Sequence, residues 1–172
     1  MSDLKVPSAK LTSSVSALKR YSVVDATDRV GSDMTHVYRS DPQQRIELIR
    51  SGIPAARVSQ LSARMGMNKE VLIDSLRLSR GAIRRKEKEG ALLSSDESER
   101  VMGIENLIGL VQRMVEESGN SDDFDAARWL SMWLSQPLPA LGGATPASYM
   151  DTFEGQKLVA GLLSMMQSGA YA

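Results

Sequence analysis

Val101, Ile104, Leu107, Ile108, Val111, Met114 and Val115 recur every three or four residues over one uninterrupted stretch. That spacing puts all seven side chains on one stripe of a single long α-helix. Ser94 and Glu97 stand at capping-box spacing just before it, and Asp96 and Glu97 suit the positive end of its dipole. Ser118-Gly119 ends the pattern. A stripe of this length has to be covered, so it commits the chain to helices packed around a central one. A core-facing use is the commoner outcome and a dimerisation seam is the other; one helix can serve both.

The segments before it are also helical. Ile46, Leu48 and Ile49 belong to a short helix that starts near Pro42 and ends at Ser51-Gly52. Pro54 suits a first helical position, and Val58, Leu61 and Met65 follow at helical spacing up to Gly66. Asn68 is the expected N-cap of the next helix, whose Val71, Leu72 and Leu76 face one way. Ser79 is expected to cap a further helix, which Gly90 ends. Short helices, tight turns and then a basic helix are the organisation of a helix-turn-helix.

That basic helix carries Arg80, Arg84, Arg85, Lys86 and Lys88, with Ile83 its one large apolar side chain. Ile83 is expected to anchor the helix while the rest faces outward. Arginine can bond guanine edges in two places at once, and Lys and Arg both contact phosphates. Ser79 and Arg80 lie at the end where a recognition helix meets bases. Arg80 and Arg84 are therefore the expected base contacts, with Arg85 and Lys86 on phosphate. A helix face that is merely solvated, with Glu87 and Glu89 balancing its cations, is the bland alternative. Three positions depart from the usual pattern: Ile73 where a small residue is common, Arg77 where the turn often has glycine, and Lys86 where an apolar residue often follows.

Beyond the long helix, Asp122, Asp123 and Asp125 lack the glycine and terminal glutamate of a calcium loop, and read instead as acids at the start of the next helix. Ala126, Ala127, Leu130 and the tryptophans of that helix are expected to pack on the long one. Trp129 and Trp133 sit four apart and share a face. Trp133 reads as core, whereas Trp129 is either core or interface. Pro137 and Pro139 stop the helix, Gly142-Gly143 allow a reversal with positive φ, and Pro146 starts the next element. A last helix, residues 153–167, presents Val159, Leu162, Leu163 and Met166 and ends by Gly169.

Trp133, Leu134, Pro137, Leu141, Gly142, Gly143, Pro146, Asp151, Thr152, Glu154 and Gly155 stand in an ordered pattern that resembles the toxin-binding domain of the Xre/MbcA/ParS antitoxin family. The basic Arg84-Arg85-Lys86 followed by Glu97-Ser98-Glu99-Arg100 is similar to the helix-turn-helix half of the same family. The resemblance covers roughly residues 42–172. With an N-terminal arm, 1–41, outside it, the resemblance implies an all-α chain with a helix-turn-helix DNA-binding domain, 42–92, and a small helical toxin-binding domain, 93–172. It also implies an antitoxin whose partner is a RES-domain toxin that consumes NAD or uses it for ADP-ribosylation. Leu141, Gly142 and Gly143 would shape the toxin-binding turn. The tail, Gly169 with Tyr171 and Ala172, would cover the toxin's active-site cleft. Operator DNA is the second partner implied, and a homodimer on two half-sites is expected.

Composition fits this. The chain has 172 residues, 42% hydrophobic and 24% charged, the profile of a globular protein with one or two small domains. Zero net charge hides a division: residues 45–90 hold eleven basic and five acidic side chains, residues 91–172 four basic and eleven acidic. Two surfaces for two kinds of partner follow from that split. Without cysteine there is no disulfide, thiolate nucleophile or cysteine-type zinc site. No glycine-rich phosphate loop, nucleophile with a base, or metal set stands out, so neither catalysis nor a cofactor is expected. Residues 129–150 are uncharged, but their prolines and paired glycines make a poor membrane helix. With no secretory signal evident, the expected location is the cytoplasm. Residues 1–40 lack sustained periodicity and read as a poorly ordered arm; the lone His36 within it has no partner at ligand spacing.

Overall fold

The computed structural model describes residues 41–119 and 124–167. Among them are seven α-helices and no β-strand: α1 (Pro42–Ser51), α2 (Ala56–Arg64), α3 (Lys69–Ser75), α4 (Arg80–Glu89), α5 (Ser95–Glu117), α6 (Ala126–Leu134) and α7 (Phe153–Gln167). Two 3-10 turns, Pro139–Leu141 and Pro146–Tyr149, join α6 to α7. The N-terminal arm, His36, Asp122, Asp123 and the tail with Gly169, Tyr171 and Ala172 lie outside the described residues.

α5 is the axis. Ser94 accepts from the Glu97 amide at 3.2 Å while the Glu97 carboxylate accepts from the Ser94 amide at 2.7 Å, a complete capping box. Helices α1, α2, α6 and α7 all pack against α5. Its stripe from Val101 to Val111 is buried, and Met114 and Val115 are half-buried, so the stripe serves the core and not a free seam. One continuous core joins Leu61, Leu72, Ile73 and Ile83 from before α5 to Leu130, Trp133, Met150 and Leu163 from after it.

Local signals place most helix ends. Asn68, Ser79 and Asp125 each accept backbone N–H bonds as N-caps, and Gly90 closes α4 in the left-handed conformation. Pro54 does not begin a helix as expected. It forms an isolated antiparallel bridge with Leu92, and the Ala55 amide donates to the Ala91 carbonyl at 3.0 Å, so α2 begins two residues later. Two further expectations fail. Val71 is exposed on α3 while Ile73 takes the core position, and Met166 is exposed on α7.

Candidate nucleic-acid and toxin interfaces

Ile83 is the only buried residue of α4. A single buried aliphatic side chain contributes about 1.5–3 kcal/mol. Ion pairs on both flanks supply the rest of the docking. On one side Arg80 donates to Asp74 of α3, at 2.9 Å from Nε and again from Nη2, and lies 3.1 Å from Glu70. The Arg80 hydrogen bond holds the Asp74 carboxyl below its usual range. Next along this flank, Glu87 accepts from Lys69 and, at 2.7 Å, from Ser59 of α2. On the other side Lys86 bonds Glu97, the capping-box carboxylate of α5. Burial alone would raise the carboxyl pKa of Glu87 and Glu97, but their bonds to lysine and serine outweigh it and hold both lowered.

The expected DNA-contact residues therefore fall into two groups. Arg84 and Arg85 are exposed, with no ionic partner among the described residues. Ser79 is occupied as a cap, its Oγ 3.4 Å from the Ala82 amide. Arg80 is exposed but ion-paired, and Lys86 is only 20% exposed and turned to α5.

The turn before α4 is held from the other half of the molecule. Arg77 has φ +47°, the only non-glycine residue among those described with positive φ. It thus adopts the conformation for which glycine is common at this position. Arg100 of α5 donates from Nη1 to the carbonyls of Leu76 at 3.0 Å and Arg77 at 3.2 Å. Gln156 of α7 in turn donates to the Arg100 carbonyl at 3.1 Å and to that of Met150 at 2.9 Å. The sequence singled out Arg100 only as part of a pattern; its role as a clamp on a turn 23 residues away had no local signal.

The expected toxin-binding turn follows α6. Trp129 stacks on Trp133 at 6.2 Å between centroids, which fixes that helix end with Trp133 buried and Trp129 half-buried. Leu138 then closes a compact loop: its amide donates to the Ala144 carbonyl at 3.0 Å and its carbonyl accepts from the Gly143 amide at 2.9 Å. Gly142 and Gly143 stand at φ +63° and +87°, so the reversal rests on glycine as expected. Both are exposed with open space beside them, and Leu141 is half-buried. In the Asp151-Thr152-Phe153-Glu154-Gly155 string, Thr152 Oγ1 accepts from the Gly155 amide at 3.1 Å. A Cβ on Gly155 would sit 1.9 Å from the Tyr149 carbonyl oxygen, so only hydrogen fits between the second 3-10 turn and α7.

Among the described residues no cluster of side chains suits a metal ion, and no helix is long and apolar enough to cross a membrane. A basic helix beyond a clamped turn, followed by a second helical unit that exposes a glycine reversal, is the arrangement of a helix-turn-helix protein with a further helical domain. Residues 44–104 match the family described as antitoxin Xre-like helix-turn-helix domain. Residues 122–169 match the antitoxin Xre/MbcA/ParS C-terminal toxin-binding domain. Over 136 residues the chain is 43% identical to a Sphingobium protein (strain YBL2) named "Prs ADP-ribosylating antitoxin", spanning 79% of this chain and 86% of that one. The chain belongs to the Xre/MbcA/ParS antitoxin family, the antitoxin half of a toxin–antitoxin system and not an enzyme family.

Proposed function

We propose that the chain neutralises a cognate RES-domain toxin by occluding its active site and represses its own operon as a homodimer on operator DNA, in the cytoplasm. The observation that carries the toxin half is the 43% identity to the Sphingobium antitoxin, whose name includes ADP-ribosylation. Of the two toxin chemistries that the resemblance implies, that name favours ADP-ribosylation over simple consumption of NAD. The 42–92 region is the DNA-binding domain in this reading and 93–172 the toxin-binding domain. α5 is the shared support, because it packs on elements of both. Leu141, Gly142 and Gly143 form the contact turn, and Gly169, Tyr171 and Ala172 enter the toxin's cleft. α4 meets DNA, with Arg84 and Arg85 among its cations that have no ionic partner among the described residues.

The test is to express the neighbouring reading frame of the operon alone and with this chain, following growth, cellular NAD and ADP-ribosylated protein. Arrest with new ADP-ribosylated protein, relieved by co-expression, supports the reading. A harmless neighbour, or no rescue, overturns it and leaves a stand-alone regulator. Truncation after Gly169 that leaves neutralisation intact removes the tail from the mechanism.

A further inference from the structure

Gly81, Arg84, Arg85 and Lys88 sit at i, i+3, i+4 and i+7 of α4, which puts them on one stripe of the helix. Ile83, the buried anchor, lies on the opposite side, so the stripe is the part of α4 farthest from the core. All four residues are exposed. The three cations have no ionic partner among the described residues, whereas Arg80 and Lys86 are tied to Asp74, Glu70 and Glu97 on the flanks. The acids of α4, Glu87 and Glu89, lie about a quarter-turn or more off the stripe axis, and Glu87 is already bonded to Lys69 and Ser59. The surface that projects outward is thus a strip of three uncompensated positive charges with a gap at its leading end. Seven residues of helix span about 10 Å, the rise of about three base pairs.

We infer that this strip is the DNA-facing surface of the chain, with Lys88 a phosphate contact and Gly81 a position of close backbone approach, and that Arg80 and Lys86 are spent on ion pairs to neighbouring helices and do not contact DNA. The inference rests on the DNA-binding half of the proposed function and assigns its residues. A Cβ at Gly81 would meet nothing within 4 Å in the free chain, and its φ is not positive, so neither packing nor backbone geometry in the free chain calls for glycine there. The absent side chain does lower the steric limit on approach: the first turn of α4 can come against a sugar–phosphate backbone or base edge where a larger residue would hold it off. The ion pairs of Arg80 and Lys86 lie off this surface and tie α4 to α3 and α5.

The experiment measures binding of the full chain to a duplex covering the region upstream of its own reading frame, by fluorescence anisotropy across a salt series, with a scrambled duplex beside it. Lys88→Ala is expected to weaken binding to both duplexes about equally and to lower the log–log salt slope by about one. Gly81→Leu is expected to weaken binding about tenfold or more while the melting temperature of the free chain holds or rises, since leucine is the better helix former. Arg80→Gln and Lys86→Met are expected to stay within about threefold in affinity, because neither side chain reaches the duplex. If Arg84→Ala abolishes binding but Lys88→Ala and Gly81→Leu bind as wild type, α4 still reads DNA and the assigned strip is wrong. If Arg80→Gln costs as much as Arg84→Ala with the melting temperature unchanged, Arg80 is a contact and the division fails. If the unaltered chain shows no salt-dependent binding to either duplex, the DNA-binding half of the proposed function falls, and this inference with it.

Discussion

Arg77 in the turn before α4 lies 3.1 Å, Nε to Oδ2, from Asp151 at the start of the string that leads into α7. The two residues belong to different halves of the chain and different sequence patterns. Arg77 is 78% exposed, so the pair itself is weak, of order 0–1 kcal/mol. Its φ of +47° costs a non-glycine residue about 1–2 kcal/mol. The two terms oppose each other at one position.

Arg77→Gly is accordingly expected to raise stability by up to about 1 kcal/mol, since relief of the backbone outweighs loss of the exposed pair. Asp151→Asn alone should cost less than about 1 kcal/mol, and should cost nothing further on the glycine background. Urea denaturation of the four chains forms the cycle. Destabilisation by Arg77→Gly would show that the ion pair dominates.

Helices α5 and α7 meet at Gly103. A Cβ there would stand 1.7 Å from Gln156 Oε1, and Gln156 is itself held by two carbonyls. Gly103→Ala is expected to cost about 1–3 kcal/mol through displaced packing. The loss should shrink when Gln156 is replaced by Ala in the same chain, since the obstructing amide is gone. Gly155→Ala should be worse than Gly103→Ala, because its obstacle is the Tyr149 backbone rather than a side-chain end.

Arg57 of α2 and Glu105 of α5 form an ion pair 2.5 Å apart, with the Glu105 side chain fully buried and that of Arg57 9% exposed. Taking away one partner breaks a bond between two buried charges. Glu105→Ala should therefore cost about 3–5 kcal/mol, far more than loss of any surface pair such as Lys157–Glu154. Thermal melts of the two variants would separate these cases.

Acid should weaken the docking of α4. Glu87 and Glu97 have folded pKa values held below 4.5, so each contributes stability that is fully present above that value and fades as pH falls through the lower folded one. Stability measured from about pH 6 to about pH 3 should drop with falling pH, and Glu97→Gln should flatten part of that drop. An unchanged slope would mean that the Lys86–Glu97 bond contributes nothing to folding.

The residues that mark the helix ends act on their own neighbours, and that is why they are legible in the chain. Asn68, Ser79, Asp125 and the Ser94–Glu97 box cap amides two or three residues ahead, and Gly90, Gly142 and Gly143 take conformations that other residues resist. The long stripe of α5 read correctly as core because a helix period of 3.6 puts those residues on one side whatever surrounds them. Which side faces inward on a short helix is another matter. Val71 and Ile73 are two apart on α3, and only the positions of α2 and the second 3-10 turn, the elements packed against α3, decide that Ile73 is buried.

Sequence by itself therefore determined an all-helical chain, its caps and reversals, and the family pattern, because each of these depends on a few neighbouring residues. Tertiary structure alone decided that Lys86 is spent on Glu97 and Arg80 on Asp74, and that Arg100 and Asp151 hold the turn at Arg77. A charged side chain reaches several ångströms in any direction from its helix. Its partner is set by which helices cross nearby, and that is information the spacing of residues along one chain does not contain.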